Sequence, residues 1–259
     1  MACITLLSDL GLQDASVAIA KGILLQHCPS ANLYDISHEI MPFHREQATY
    51  IFASAYKNFP PGTIHVLLFN LFSDVTPKLI LSAKDGHYFL SPDNGIVPSL
   101  PGNDISSWLC AGLAPESTFS DWIHEAGRVI TQLQHASPEA MALPSFTSKH
   151  HTLSSAMVSD AGGVACDVIH IDRFGNAVLN ITRQQFGSWQ NNRMFRLQFM
   201  QVEEVSEISN SYNSVREGYK LCRFNSNGYL EICINRGRAA SLFGLRLGSR
   251  HNDIKLFFE

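Results

Sequence analysis

Two carboxylates, Asp9 and Asp14, flank the short turn Ser8-Asp9-Leu10-Gly11. An apolar β-like run, Ile4 to Leu7, precedes them, and Val17, Ala20, Ile23 and Leu24 follow at helical spacing. Gly11 suits the backbone angles of a tight turn. In open α/β sheets, ligands sit beyond the carboxyl ends of strands, which is where this loop would lie. The loop lacks G-x-G-x-x-G and carries negative charge, so it repels phosphate rather than cradling it. Paired carboxylates here suit a cation or a ligand with hydroxyls to donate, such as a ribose diol. A plainer alternative stays open, in which Asp14 caps the helix and Asp9 closes the turn.

A second group stands late in the chain, at Asp172-Arg-Phe174-Gly-Asn176. An aspartate, an aromatic and an amide around one turn can hold a purine, the ring stacking on Phe174 and its edge bonding to Asn176. The alternative is a hairpin turn in which Asn176 bonds its own backbone. Asn70-Leu-Phe-Ser73-Asp74 is another polar cluster at a strand end. Phe43, just before a helix, is either a ligand wall or core. His38 and Glu39 are adjacent and do not share a strand face, so a structural role is expected and a metal is not. His150-His151 has no Cys or Asp nearby and reads as a solvated loop.

The elements that must carry these groups alternate strand and helix through residue 100. Apolar runs at 4–7, 31–36 and 64–69 read as strands, with helices opening near Asp14 and spanning His44 to Asn58 before Pro60-Pro61-Gly62. Lys78–Ala83 and His87–Leu90 form an antiparallel pair around Lys84-Asp85-Gly86. Residues 101–120 offer no clear pattern, Asp121–Leu133 reads as a helix, and Gln134 to about Gly163 reads as a linker. Beyond it, strands are expected at Val164–Asp172, Ala177–Ile181, Met194–Met200, Gly218–Phe224 and Tyr229–Ile234, and then a short helix opening over Asn235–Ala240. The expected architecture is α/β, with a layered N-terminal domain over 1–150 built on a mostly parallel sheet. A smaller C-terminal β-barrel domain follows over 163–259.

Composition narrows the class. The chain has 259 residues, 45% apolar and only 16% charged, which predicts extensive buried surface, including between subunits. A net charge of −4 argues against nucleic acid as a partner. Six cysteines are scattered without C-x-x-C, the pattern of reduced, mostly buried thiols in a cytoplasmic protein. Neither a signal peptide nor an apolar run of ~18 residues is evident, so no membrane association is expected.

Six motifs occur in one order: Ser8-Asp-Leu-Gly11 with Asp14; Asp35-Ile-Ser-His-Glu-Ile40; Pro60-Pro-Gly-Thr-Ile-His65; Pro92-Asp-Asn-Gly95; Ile171-Asp-Arg-Phe-Gly-Asn176 with Asn180-Ile181; and Asn225-Ser-Asn-Gly-Tyr-Leu-Glu-Ile232 with Ala239-Ala240. Together they resemble the S-adenosylmethionine (SAM) hydroxide adenosyltransferases, relatives of the fluorinase and chlorinase. The resemblance implies an N-terminal α/β domain, a C-terminal β-barrel and a homotrimer binding SAM between subunits, without a further cofactor. It implies that Asp9 and Asp14 hold the ribose hydroxyls and that Phe43 lines the sugar. Phe174 and Tyr212 would sandwich the adenine, and Asn176 with the backbone around Ala239 would read its edge. Asp172 would bind the methionine ammonium and Ser226 its carboxylate.

The implied chemistry is in-line displacement at ribose C5′. The sulfonium is already a good leaving group, so the site must exclude water, align the attacking atom and supply a nucleophile. The family's D-P-G-V-G-T-x-R segment reads Asn70-Leu-Phe-Ser-Asp-Val-Thr-Pro77 here, and T-F-H-G-R is best matched by Thr118-Phe-Ser-Asp-Trp122. The Asp, Arg and His that prepare water in the hydrolase branch are therefore replaced by Asn70, Pro77 and Ser120. The expected activity is slow SAM hydrolysis, with Asn70, Ser73, Ser120 or Asp121 orienting the water. The alternative is a protein that binds SAM or adenosine without turnover. Halide use is disfavoured because the short Ser73–Pro92 segment has no room for the halogenase loop, and Asp121 would repel an anion.

Overall fold

The computed structural model describes residues 2–102, 104–148, 156–158, 163–200, 202–248 and 253–259. The chain divides into two compact units, Met1–Leu153 and Ser154–Glu259. The first contains β1 (Cys3–Ser8), α1 (Ser16–His27), β2 (Asn32–Ser37), α2 (Arg45–Ala55), β3 (Ile64–Leu68), β4 (Lys78–Lys84), β5 (His87–Ser91), β6 (Ser106–Gly112) and α3 (Phe119–Leu133). Six strands form one sheet in the order β2-β1-β3-β5-β4-β6. The pairs β1/β2, β1/β3 and β3/β5 are parallel, and β4 runs antiparallel to β5 and β6.

Strand β1 is buried on both sides, and over Ile4–Leu7 apolar but for Thr5, because both sheet faces are covered. Ile4 and Leu6 pack with Ala20 and Leu24 of α1 and with Trp122 and Ile130 of α3. Leu7 points to the other face, with Ala48 and Phe52 of α2. The parallel register sets Ser8 beside Leu68 and Leu7 beside Ser37, and β4 begins with Lys78 beside Gly112. The segments carrying Asp9, His38, Asn70 and Lys78 therefore emerge along one edge of the sheet.

The unread stretch at 101–120 contains β6. Helix α3 starts two residues before the expected Asp121, because Thr118 and Asp121 close a capping box around its first turn. The start of the expected linker returns to the sheet instead. Leu109 N–H donates to Pro144 O, and Phe146 N–H donates to Ser107 O. Its Ser- and Pro-rich composition suits covering an edge strand. Residues 149–155 and 159–162 of that linker, including His150-His151, lie outside the described residues, and Met157–Val158 between them forms a strand.

The second unit contains β7 (Met157–Val158), β8 (Val164–Ala165), β9 (Val168–Ile171), β10 (Ala177–Thr182), α4 (Arg183–Gln190), β11 (Phe195–Phe199), β12 (Glu203–Val205), β13 (Lys220–Phe224), β14 (Tyr229–Ile234), α5 (Ala239–Leu242) and β15 (Lys255–Phe258). They make two antiparallel sheets, β13-β14-β10-β9 and β12-β11-β15-β8-β7, sharing one apolar core that includes Leu179, Ile232, Leu197 and Leu256. The single strand expected over Val164–Asp172 is two strands in different sheets. The break falls at Cys166-Asp167, where Asp167 N–H donates to Asn180 Oδ1 at 2.9 Å. Helix α4 was not anticipated, although its capping box, Thr182 with Gln185, is written in the sequence. All six cysteines are free thiols and four are buried. Among the described residues, no helix is long and apolar enough to cross a membrane.

Within the first unit, Thr5 Oγ1 lies 2.6 Å from His65 Nδ1, and His65 Nε2 lies 3.1 Å from His87 Nδ1. Burial first, and the neighbouring His87 second, push the His65 pKa down to about 3. The folded state thus favours neutral His65, while the unfolded chain takes up its proton near pH ~6.5. The stabilisation is complete above that value and is lost progressively as pH falls toward about 3. Urea denaturation at pH 7 and pH 5 should show the wild type losing stability faster than His65→Gln, by up to about 1.4 kcal/mol per pH unit for one proton. Equal losses in the two proteins would assign the proton uptake elsewhere.

Candidate functional site

In the first unit the candidate residues gather around Asp9. Its carboxylate is half-buried just past β1, and Asn70 N–H lies 3.4 Å from both of its oxygens. Burial raises its pKa, opposed by backbone N–H donors of Asp9 itself, Asn70 and Phe43. The loops after β1, β2 and β3 thus converge on one carboxylate. Phe43 and Asn70 both adopt left-handed backbone, with φ of 63° and 50°. That conformation is easy for asparagine and uncommon for phenylalanine. The Phe43 side chain is 78% exposed, so it is not core.

The other expected residues are more dispersed. Asp14 is exposed and accepts the Ser16 N–H at 2.8 Å, which lowers its pKa. The helix cap itself is Ala15, one residue later than expected, so Asp14 forms the turn leading into α1. Ser73 is exposed, and Asp74 pairs with Lys78 at 2.6 Å. Ser120 is half-buried in the first turn of α3. Asp121 Oδ2 accepts from both the backbone and the hydroxyl of Thr118, at 2.8 and 2.7 Å. Trp122 Nε1 donates to Lys78 O at 3.0 Å, and Leu113 N–H donates to Pro77 O at 2.8 Å. The start of α3 is thereby tied to the same sheet edge. No hydrogen bond joins Asn70, Ser73, Ser120 or Asp121 to one another among the described residues.

In the second unit the β9–β10 hairpin is held by its own polar side chains. Asn176 donates to both Asp172 oxygens, from its backbone N–H at 2.8 Å and from Nδ2 at 2.9 Å. The Asn176 side chain thus bonds the Asp172 side chain and not its own backbone, so the turn differs from the plain hairpin alternative. The Asn176 side-chain carbonyl and second amide proton, and further acceptor positions on Asp172, are open to other partners. Phe174 stands at the tip, 74% exposed. Ala240 N–H donates to Gly175 O at 2.8 Å, and Arg238 donates to Arg173 O at 2.9 Å. The backbone around Ala239 is thus brought beside the hairpin. Ser226 is exposed in the turn after β13.

Tyr212 is engaged differently from the expectation of a simple stacking platform. Its hydroxyl donates to Glu231 Oε1 at 2.8 Å, and the Arg223 guanidinium lies 4.3 Å from its ring centre. One ring face is already covered by a cation. Glu231 is 2% exposed, its pKa raised by burial against the lowering effects of Tyr212, Cys233 and Arg223. Neither Arg223 nor Glu231 stood out in the sequence. The signal was a carboxylate inside the apolar run Tyr229–Ile234. A cavity of about 500 Å³ lined by Pro98, Leu100, Ile105 and Phe146 contains none of the expected residues. Among the described residues, no three His, Cys, Asp or Glu side chains converge on a metal position.

The fold defines a class of two-unit proteins, a layered α/β unit followed by a mostly β unit. An uncharacterized conserved protein from Thermotoga maritima shares it, with a TM-score of 0.78 at 23% identity over 98% of this chain and 99% of that one. The chain belongs to the SAM hydroxide adenosyltransferase family: residues 4–108 match its N-terminal domain and residues 166–252 its C-terminal domain. An (R)-S-adenosyl-L-methionine hydrolase from Methanocaldococcus jannaschii is 28% identical, covering 93% of this chain and 92% of its own. A fluorinase from an Actinoplanes species is 22% identical, covering 95% of each.

The hairpin makes one position sensitive. Gly175 has φ +83°, and a Cβ there would meet Arg238 Cβ at 2.8 Å and its Cα at 3.0 Å. Gly175→Ala should therefore cost about 1–3 kcal/mol in urea denaturation through crowding and backbone strain. A change below ~0.5 kcal/mol would show that the α5 junction yields freely.

Proposed function

We propose that this protein hydrolyses SAM to adenosine and methionine by in-line attack of water at ribose C5′. The observation that carries the reading is Asp9, a half-buried carboxylate at the sheet edge with backbone donors from two other loops. Such a carboxylate suits a diol, which donates two hydrogen bonds to it. In this reading Asp9 and Asp14 take the ribose hydroxyls and Phe43 lines the sugar. Phe174 and the uncovered face of Tyr212 flank the adenine, and Asn176 and the backbone at Ala239 read its edge. Asp172 takes the ammonium and Ser226 the carboxylate. The two sheets of the second unit correspond to the family's C-terminal barrel, the units to domains over 1–150 and 163–259, and the working form is a cytoplasmic homotrimer with SAM between subunits. Relatives named as SAM hydrolases over nearly the whole chain support the activity.

Turnover is expected to be slow. Asn70 cannot take a proton at neutral pH, and Ser73 and Ser120 are poor bases, so they orient water rather than deprotonate it. The Asp121 carboxylate is already engaged by Thr118. That engagement favours one second reading, a SAM or adenosine binder without turnover. Incubating the protein with SAM and following adenosine by chromatography separates them. The expected rate is ~100–10,000-fold below that of a relative with the complete Asp–Arg–His set. A comparable rate would show that the nucleophile position is assigned wrongly. No adenosine, with SAM binding intact, would leave the binder.

Binding gives an independent check. Asp9→Ala should weaken adenosine binding by about 1.5–3 kcal/mol, the scale of one charge-assisted hydrogen bond. Calorimetry finding equal affinity in both proteins would remove Asp9 from the site.

A further inference from the structure

Behind Asp9 lies a buried polar chain that the proposed function leaves unused. Ser8 Oγ is 2.7 Å from His38 Nδ1, with Ser8 0% and His38 3% exposed. His38 Nε2 faces Asp35 Oδ1 at 3.0 Å, close enough to pair but poorly aligned for a hydrogen bond. Lys21 Nζ holds the other Asp35 oxygen at 2.7 Å. With a carboxylate facing Nε2, the neutral ring carries its proton there, and Nδ1 accepts from the Ser8 hydroxyl. Ser8 Oγ in turn lies 3.4 Å from Leu10 N, and His38 O accepts the Gly11 N–H at 2.8 Å. Asp9 therefore sits in a loop pinned on both sides.

Serine, histidine and aspartate in this order form the set that activates a nucleophile in hydrolases. Ser8 has no exposed surface, so no substrate reaches it. The linkage instead ties the loop after β1 to the loop after β2. We propose that His38 is a positioning residue: through the Ser8 hydroxyl and its own carbonyl it fixes the turn so that Asp9 presents its carboxylate in one orientation to a pair of ligand hydroxyls. This rests on Asp9 being the diol ligand. Without the pin, the turn samples other conformations, and binding must first select the competent one.

Adenosine calorimetry on the full chain tests the inference with a double-mutant cycle. His38→Ala and Ser8→Ala should each weaken adenosine binding roughly three- to tenfold, the scale of one ordinary hydrogen bond. In an Asp9→Ala background the same substitutions should change affinity less than about twofold, since no carboxylate is left to orient. His38→Gln, which keeps an amide group to meet Ser8, should recover part of the loss. Equal losses in both backgrounds, or none in either, would make His38 plain scaffold and overturn the proposal. If Asp9→Ala itself leaves adenosine affinity unchanged, the diol reading fails and the positioning role falls with it. Ser8→Ala removes a single buried oxygen and carries the cycle alone if His38→Ala does not fold.

Discussion

A half-buried carboxylate must find donors, and Asp9 finds them on the backbone of other loops. Burial works against its charge, opposed first by its own backbone N–H and then by those of Asn70 and Phe43. Supplying them requires three consecutive parallel strands to end at one edge, which the pairing of β1 with β2 and β3 provides. It also accompanies left-handed backbone at Phe43, a conformation that a bulky residue adopts only where its surroundings enforce it.

The second unit solves a similar problem with side chains. Asp172 and Asn176 close the hairpin on each other, and Arg238 and Ala240 brace it from the next element. Protein hydrogen bonds alone account for the shape of the turn at the base of Phe174. In the proposed site, a turn braced in this way would lose less conformational entropy when a flat ring stacks on Phe174.

The sheet was legible because its physics is local and repetitive. Buried strands such as Ile4–Leu7 and Ile64–Leu68 are apolar but for one residue each, Thr5 and His65, and Pro60-Pro61-Gly62 stops a helix wherever it falls. Edge strand β6 was not legible, since its residues are half-buried and carry little period. The break at Cys166-Asp167 depends on Asn180, a partner far along the chain. Among the candidate residues, Asp9, Phe174 and Asn176 could be singled out by residue type beside a turn. The roles of Glu231, Arg223 and His38 could not, because each is defined by a contact on another element. A lone buried histidine or glutamate looks the same in sequence whether it supports a site or not.

The changes at 70 and 77 are better understood together than singly. On the resemblance drawn from the sequence, this segment matches a pattern with a carboxylate and a guanidinium, where this chain has Asn70 and Pro77. The neighbouring cation, Lys78, is committed to Asp74 at 2.6 Å. A carboxylate at position 70 would therefore stand beside Asp9 with no guanidinium to offset it, and Asp9 already has its pKa raised by burial. Two close carboxylates without a cation cannot both stay ionised, so one would hold a proton. Asparagine keeps what the backbone needs there, tolerance of left-handed φ and an N–H toward Asp9, while removing the second charge. On the proposed match, the two replacements together are charge-neutral and place no second carboxylate beside Asp9. The same argument predicts that Asn70→Asp alone does not recreate the family's water-activating set, because the added carboxylate would be unsupported and costly to desolvate. Chromatographic measurement of adenosine release from SAM by Asn70→Asp should show no gain over the wild type, and a gain of tenfold or more, a free-energy change of about 1.4 kcal/mol, would show that a cation other than an arginine at 77 reaches position 70.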